Sequence, residues 1–219
     1  MKSILIGSIG VLTECSEIQR RAFNEAFKDF GLDWYWNVAN YVKMLETPGG
    51  IDRIIKYSNL KFDQNIANKI HSLKIKYFDL FSKDNLKPRD GILDVINYAH
   101  NNDIKLGFIT TTNEATLNLV MKNLSKFIDF SQFDLITYDK FAKNKKPDPD
   151  IYNYTIEKLK LTPKTSLAIE NTLESCNSSI QANLYTLFYP GEYSLCEDNS
   201  KIIKNIFEAV KSFFEGNQQ

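Results

Sequence analysis

The chain has 219 residues, and 27 basic side chains balance 27 acidic ones. With 43% hydrophobic and 25% charged residues the composition is that of an ordinary globular protein, with no global field to recruit nucleic acid or an anionic membrane. No apolar run approaches the roughly 20 residues of a membrane span. The amino terminus lacks signal-peptide organisation, and Cys15, Cys176 and Cys196 show neither metal spacing nor a disulfide framework, so a reduced, cytoplasmic protein is expected.

Ser3 to Ile6 is an apolar run of strand length, broken at once by Gly7, Ser8 and Gly10. In an open α/β sheet the loop past a strand's carboxyl end is where ligands bind. This loop nevertheless holds no carboxylate, histidine or lysine before Glu14. From Ser16 the period changes. Ile18, Ala22, Phe23, Ala26, Phe27 and Phe30 mark an amphipathic helix, and Gly31 stops it. Trp34, Trp36, Val38, Tyr41, Val42 and Leu45 continue a helical pattern into the break at residues 47–50, and residues 51–57 and 64–81 add two more helices. His71 and His100 fall on polar flanks of helices and read as surface or helix-end residues. With no strand expected before Ser82, residues 16–85 read as a helical cap inserted between residues 1–15 and 86–219.

After a loop containing Pro88, Asp90 and Gly91, helices are expected over residues 92–100, 115–124, 152–159 and 202–214, and residues 178–182 are expected to be part of another. Strands are expected between them, over residues 105–109, 135–137, 166–169 and 185–188. This alternation predicts an α/β fold, a Rossmann-like parallel sheet covered on both faces, carrying the α-helical cap.

Three later segments carry chemistry. Thr110-Thr111-Thr112-Asn113 joins a strand to a helix, where hydroxyls and amides suit a phosphate; the same residue types also serve as simple helix caps. Lys145-Lys146-Pro147-Asp148-Pro149-Asp150-Ile151-Tyr152 places a point positive charge before a Pro-rich turn, the kind of group that holds phosphate oxygens. Asp148 and Asp150 fit turn chemistry better than a catalytic pair. Ser166 to Thr172 then ends a strand on Glu170 and Asn171. The remaining lysines around it, Lys140, Lys143 and Lys145, read as a solvated loop.

Taken in order, these segments resemble the haloacid dehalogenase (HAD) superfamily. Its motifs are strand-Asp-x-Asp-Gly-[Thr/Val]-Leu, Lys-Pro-x-Pro-Asp-Ile-[Tyr/Phe] and strand-Glu-Asp-Ser. The stretches from Arg20 to Phe27, Phe30 to Trp36 and Gly49 to Ile54 resemble the CbbY-type branch beside β-phosphoglucomutase, which contains sugar-phosphate phosphatases. The resemblance implies phosphate or substrate contacts for Thr110, Thr111, Lys146 and Glu170, and sugar-phosphate contacts for Glu14 and Arg53. Gln19 stands where the family commonly has His. The resemblance also implies what is missing: Gly7 stands at the nucleophile position, Ile9 at the acid/base position, and Asn171 replaces a metal-ligand Asp. No catalytic or metal-binding residue is assigned. Mg²⁺ serves the family, but its ligands are lost here, so no cofactor is expected.

The expectation is a catalytically degenerate HAD-like protein, a sugar-phosphate-binding or regulatory pseudo-phosphatase. Its partner would be a small sugar phosphate or inorganic anion, with no nucleic acid, no membrane and no protein partner identified. One alternative is an active phosphatase with an unusual nucleophile; another is a nucleotide-binding module built on the Gly7–Gly10 turn. The emptied site is expected to bind an anion without metal, against the alternative that Lys146 pairs with Glu170 in a purely structural pocket.

Overall fold

The computed structural model describes residues 1–47, 49–194 and 203–216. Cys196 and the expected start of the last helix at Ile202 lie outside them. The chain forms two compact units, Met1–Glu14 with Lys87–Gln219, and Cys15–Leu86.

The first unit opens with β1 (Ser3–Ile6) and a single turn of helix, α1 (Ile9–Leu12), where a loop was expected. Ile9, Val11 and Leu12 are buried, so their apolar character turns the segment back onto the sheet. The second unit holds α2 (Ser16–Asp29), α3 (Val38–Leu45), α4 (Gly50–Tyr57) and α5 (Gln64–Ser82), with no strand among its described residues. The chain then returns to the first unit through α6 (Ile92–Asn101), β2 (Lys105–Phe108), α7 (Glu114–Leu124), β3 (Leu135–Ile136) and α8 (Asp150–Leu159). It finishes with β4 (Ser166–Glu170), α9 (Leu173–Gln181), β5 (Tyr185–Phe188) and α10 (Ile206–Gly216).

The five strands among the described residues form one parallel sheet in the order β3-β2-β1-β4-β5. All four β1 residues are buried, as befits the central strand of a sheet covered on both faces. Leu5 and Ala168 pack with Ile109, Ile151, Tyr152 and Leu161, which seats α8 against the sheet and carries Tyr152 to the strand ends. Asn183 takes the left-handed conformation (φ 61°), and Asn is among the few residues that adopt it readily.

In the second unit α2 packs on α5 around Phe23, Phe27, Trp36 and Tyr41. Two expectations are corrected here. Residues 34–36 are not helical: Asn24 of α2 takes both backbone groups of Trp36, at 3.0 and 2.8 Å, and Arg20 donates to the same carbonyl at 2.8 Å. Those bonds replace the helical ones and drop the indole into the core. His71 is not a surface residue but 7% exposed, packed against Gly50 and the Phe23 ring. The buried stripe of α5 runs through Ala67, Ile70, His71, Lys74 and Phe78. His100 is exposed at the end of α6.

Candidate functional site

Because β1 lies between β2 and β4, the strand order reverses at its carboxyl end, the place where open α/β sheets bind ligands. Gly7 follows β1 and donates to Ile169 of β4 at 2.8 Å, while Ile109, following β2, donates to Ile6 at 2.7 Å. Gly7, Ile109 and Glu170 thus face one another by register alone.

Lys146 reaches into this junction and is 5% exposed. Its ammonium donates to the Gly7 carbonyl, to the Ile109 carbonyl at 3.0 Å and to Glu170 Oε1 at 2.5 Å. The Tyr152 ring lies beneath it, 4.9 Å from nitrogen to centroid. An ammonium has three donors, and three acceptors take them. Burial draws the Lys146 pKa below its usual value, opposed by the Glu170 charge.

Glu170 is wholly buried. Oε1 also accepts from the Tyr152 hydroxyl at 2.5 Å, while Oε2 is buried without a hydrogen-bond partner. Burial, and then the Glu170 charge, raise the Tyr152 pKa well above the ordinary tyrosine value. The same two causes push the nearby Cys176 thiol up to about 12.

The position of Glu170 is tied to Gly7. A Cβ on Gly7 would collide with the Glu170 carboxyl group and the Tyr152 hydroxyl. The carboxylate of residue 170 therefore fills the space a side chain at residue 7 would take. Its neighbour behaves alike: the Asn171 amide lies over Gly10, where a Cβ would strike it, and its Oδ1 accepts from Ser8 Oγ at 2.5 Å. Glu170 at the end of β4 and Asn171 just past it thus fold onto Gly7 and Gly10.

The threonine loop is partly self-satisfied. The Thr110 amide donates to Thr137 Oγ1 at 3.1 Å, and Thr110 Oγ1 accepts from the Thr112 amide at 3.1 Å. Thr111 is half-buried beside it. Asn113 caps α7, accepting from Thr116 at 2.9 Å. Asp148 and Asp150 accept from backbone amides of their own turn, at 3.1 and 2.9 Å.

Glu14 belongs to a different cluster, accepting from the Glu192 amide at 2.8 Å. Arg89 joins that cluster by donating to the carbonyls of Gly10, Tyr189 and Pro190 at 2.7–3.0 Å and lying on the Tyr189 ring. Arg53 lies on α4 in the second unit, where it donates to the Thr47 carbonyl at 2.7 Å and burial lowers its pKa. Within that unit sequence reasoning missed Lys74, a buried amine between the Phe23 and Phe78 rings. Burial, reinforced by the charge of Arg53, brings its pKa to about 7 despite the opposing Cys15. Its three- and four-residue spacing from Ile70, His71 and Phe78 was the available signal.

The family model described as haloacid dehalogenase-like hydrolase matches residues 10–188, beginning just past Gly7 and Ile9. The chain belongs to the haloacid dehalogenase-like hydrolases. Within that family it sits in the CbbY-like branch. It is 32% identical to Protein CbbY of Cereibacter sphaeroides over 203 residues, covering 90% of this chain and 88% of that protein. Protein CbbY of Rhodobacter capsulatus is likewise 32% identical, over 91% of this chain and 90% of that one. Among solved structures, CbbY from Rhodobacter sphaeroides in complex with phosphate superposes with a TM-score of 0.82 at 29% identity, covering 92% of each chain. A mutant of that CbbY in complex with xylulose-(1,5)bisphosphate gives a TM-score of 0.83 at 28% identity, over 98% of this chain and 96% of the other. In this haloacid dehalogenase-like chain Lys146 and Glu170 meet where β1, β2 and β4 end, beside Gly7.

Proposed function

We propose that this CbbY-like chain no longer transfers phosphoryl groups and acts as a binder of a sugar phosphate or related anion, a pseudo-phosphatase with a regulatory role. One observation carries the reading: residue 7 offers no side chain to attack phosphorus, and the space one would take is filled by the Glu170 carboxyl group, bonded to Lys146 and Tyr152. Ile9, buried and apolar, offers no general acid or base.

The donor set also does not fit Mg²⁺, a hard cation that selects carboxylate oxygens. Gly7 has no side chain, Glu170 Oε1 is held by Lys146 and Tyr152, and Asn171 Oδ1 is held by Ser8. No role is therefore assigned to a metal. The ligand class rests on the relatives, whose CbbY structures hold phosphate and xylulose-(1,5)bisphosphate.

One observation favours the competing reading of a working phosphatase. Glu170 Oε2, buried and unbonded beside residue 7, is a carboxylate oxygen with its lone pairs unused. It would then be the unusual nucleophile, and intact mass would rise by one phosphoryl group on exposure to an acyl phosphate. Phosphate release from a panel of sugar phosphates with Mg²⁺ separates the two: the proposed function expects none, and turnover lost in Glu170→Gln supports the competitor.

A further inference from the structure

Each donor of Lys146 already has an acceptor, and one of those acceptors is itself an anion. A phosphate oxygen arriving at Lys146 must therefore displace something. The carbonyls of Gly7 and Ile109 belong to backbone fixed by the sheet, Gly7 through its 2.8 Å bond to Ile169 and Ile109 through its 2.7 Å bond to Ile6. Glu170 is the partner that can leave. Its carboxylate is the end of a side chain, and the space it fills is there because residue 7 is Gly.

We propose that Glu170 is a built-in competitor for the anion site at Lys146. Its carboxylate occupies the position of the incoming anion, Tyr152 holds it there, and a phosphate binds only as Glu170 swings out. The inference rests on the anion-binding reading above and adds to it a gate and the residues that set it. The gate needs no metal, because the exchange replaces one anion on the ammonium by another. It also explains why the hydroxyl of Tyr152 is buried on α8: there it shares Oε1 with Lys146, and both bonds are 2.5 Å long. Tyr152 is thus a positioning residue, acting on the ligand through Glu170. The unbonded Oε2 marks the weak point of the arrangement, since half of the carboxylate gains nothing from staying inside.

The test is calorimetric titration of inorganic phosphate and of a sugar bisphosphate, in chelator, into wild type, Glu170→Gln and Tyr152→Phe. Removing the resident charge is expected to tighten binding about ten- to a hundred-fold in Glu170→Gln, the factor represented by one hydrogen bond to a charged group. Tyr152→Phe removes only one hydroxyl, keeps the ion pair and gives a smaller gain in the same direction; it serves where Glu170→Gln does not fold. Equal affinities in all three proteins would overturn the gate while leaving the anion-binding reading intact. Absence of binding by all three folded proteins would overturn that reading and the gate with it. A direct readout needs no ligand: the Lys146 ammonium protons are expected to exchange slowly by NMR in wild type and faster in Tyr152→Phe. Identical exchange would contradict the part assigned to Tyr152.

Discussion

Gly7→Ala probes the tie between residue 7 and Glu170 with a single methyl group. An ordinary exposed Gly→Ala change at a compatible backbone position stabilises a protein by about 0.4–1 kcal/mol, through the unfolded chain. Gly7 has no positive φ, so backbone strain plays no part. Its new Cβ would, however, overlap the Glu170 carboxyl group and the Tyr152 hydroxyl. Overpacking a fixed core costs about 1–3 kcal/mol. If the carboxylate moves instead, it leaves two 2.5 Å donors and strands a buried ammonium, and breaking a buried pair costs roughly 3–5 kcal/mol. Partial relaxation and the unfolded-state gain reduce this, and a net loss of about 2–4 kcal/mol is expected. Urea denaturation at neutral pH reads it as a lower midpoint at unchanged slope. The cycle with Tyr152→Phe sharpens the test: with the hydroxyl gone, Gly7→Ala is expected to cost less, by a coupling of about 0.5–3 kcal/mol. A neutral or stabilising Gly7→Ala would refute the reasoning, because it would mean that Glu170 is not held where residue 7 needs space.

Other outcomes follow from the same geometry. Gly7→Asp alone is expected to restore no phosphate release and to lower stability more than Gly7→Ala, since it sets a second carboxylate against Glu170; Mg²⁺-dependent turnover in that single variant would contradict this. Lys74 has a pKa moved from 10.5 to about 7 by burial, so between those values the unfolded chain binds more protons and stability rises with pH. Lys74→Met is therefore expected to stabilise the protein at pH 7 by on the order of 3 kcal/mol, with the gain shrinking toward pH 10; parallel pH profiles for the two proteins would contradict this. Cys176, with its thiol pushed up to about 12, is expected to resist iodoacetamide at pH 8 in the folded protein, and rapid labelling of that residue followed by mass spectrometry would refute the environment described.

Much of the architecture was legible in the primary structure, and particular residues show why the rest was not. The strands β1, β2 and β4 follow from short apolar runs closed by turn residues, with the ends of β2 and β4 each one residue from where they were expected, and their parallel pairing brings Gly7, Ile109 and Glu170 together. Lys146 was recognisable from its Pro-rich context. The pairing of Lys146 with Glu170 was one of two alternatives for the site, and it is the one present. That the carboxylate also fills the space beside Gly7 was not legible, because that space exists only once β1 and β4 lie side by side. The helical pattern expected to begin at Trp34 failed for a related reason, since Asn24 and Arg20 of α2 capture the Trp36 backbone from outside the local sequence. His71 and Lys74 hid the phase of α5, because two polar residues sit on its buried face.

The central proposal is that this CbbY-like chain, with Lys146 and Glu170 paired at its strand ends, does not transfer phosphoryl groups. It is tested most directly by phosphate release from a panel of sugar mono- and bisphosphates, with Mg²⁺, at high concentration of the wild-type protein. Loss of a nucleophile that acts within a catalytic unit removes on the order of 10⁶ in turnover. The expected result is release indistinguishable from the protein-free control for every substrate. Robust Mg²⁺-dependent release by the wild type, abolished by Lys146→Ala, would contradict the account.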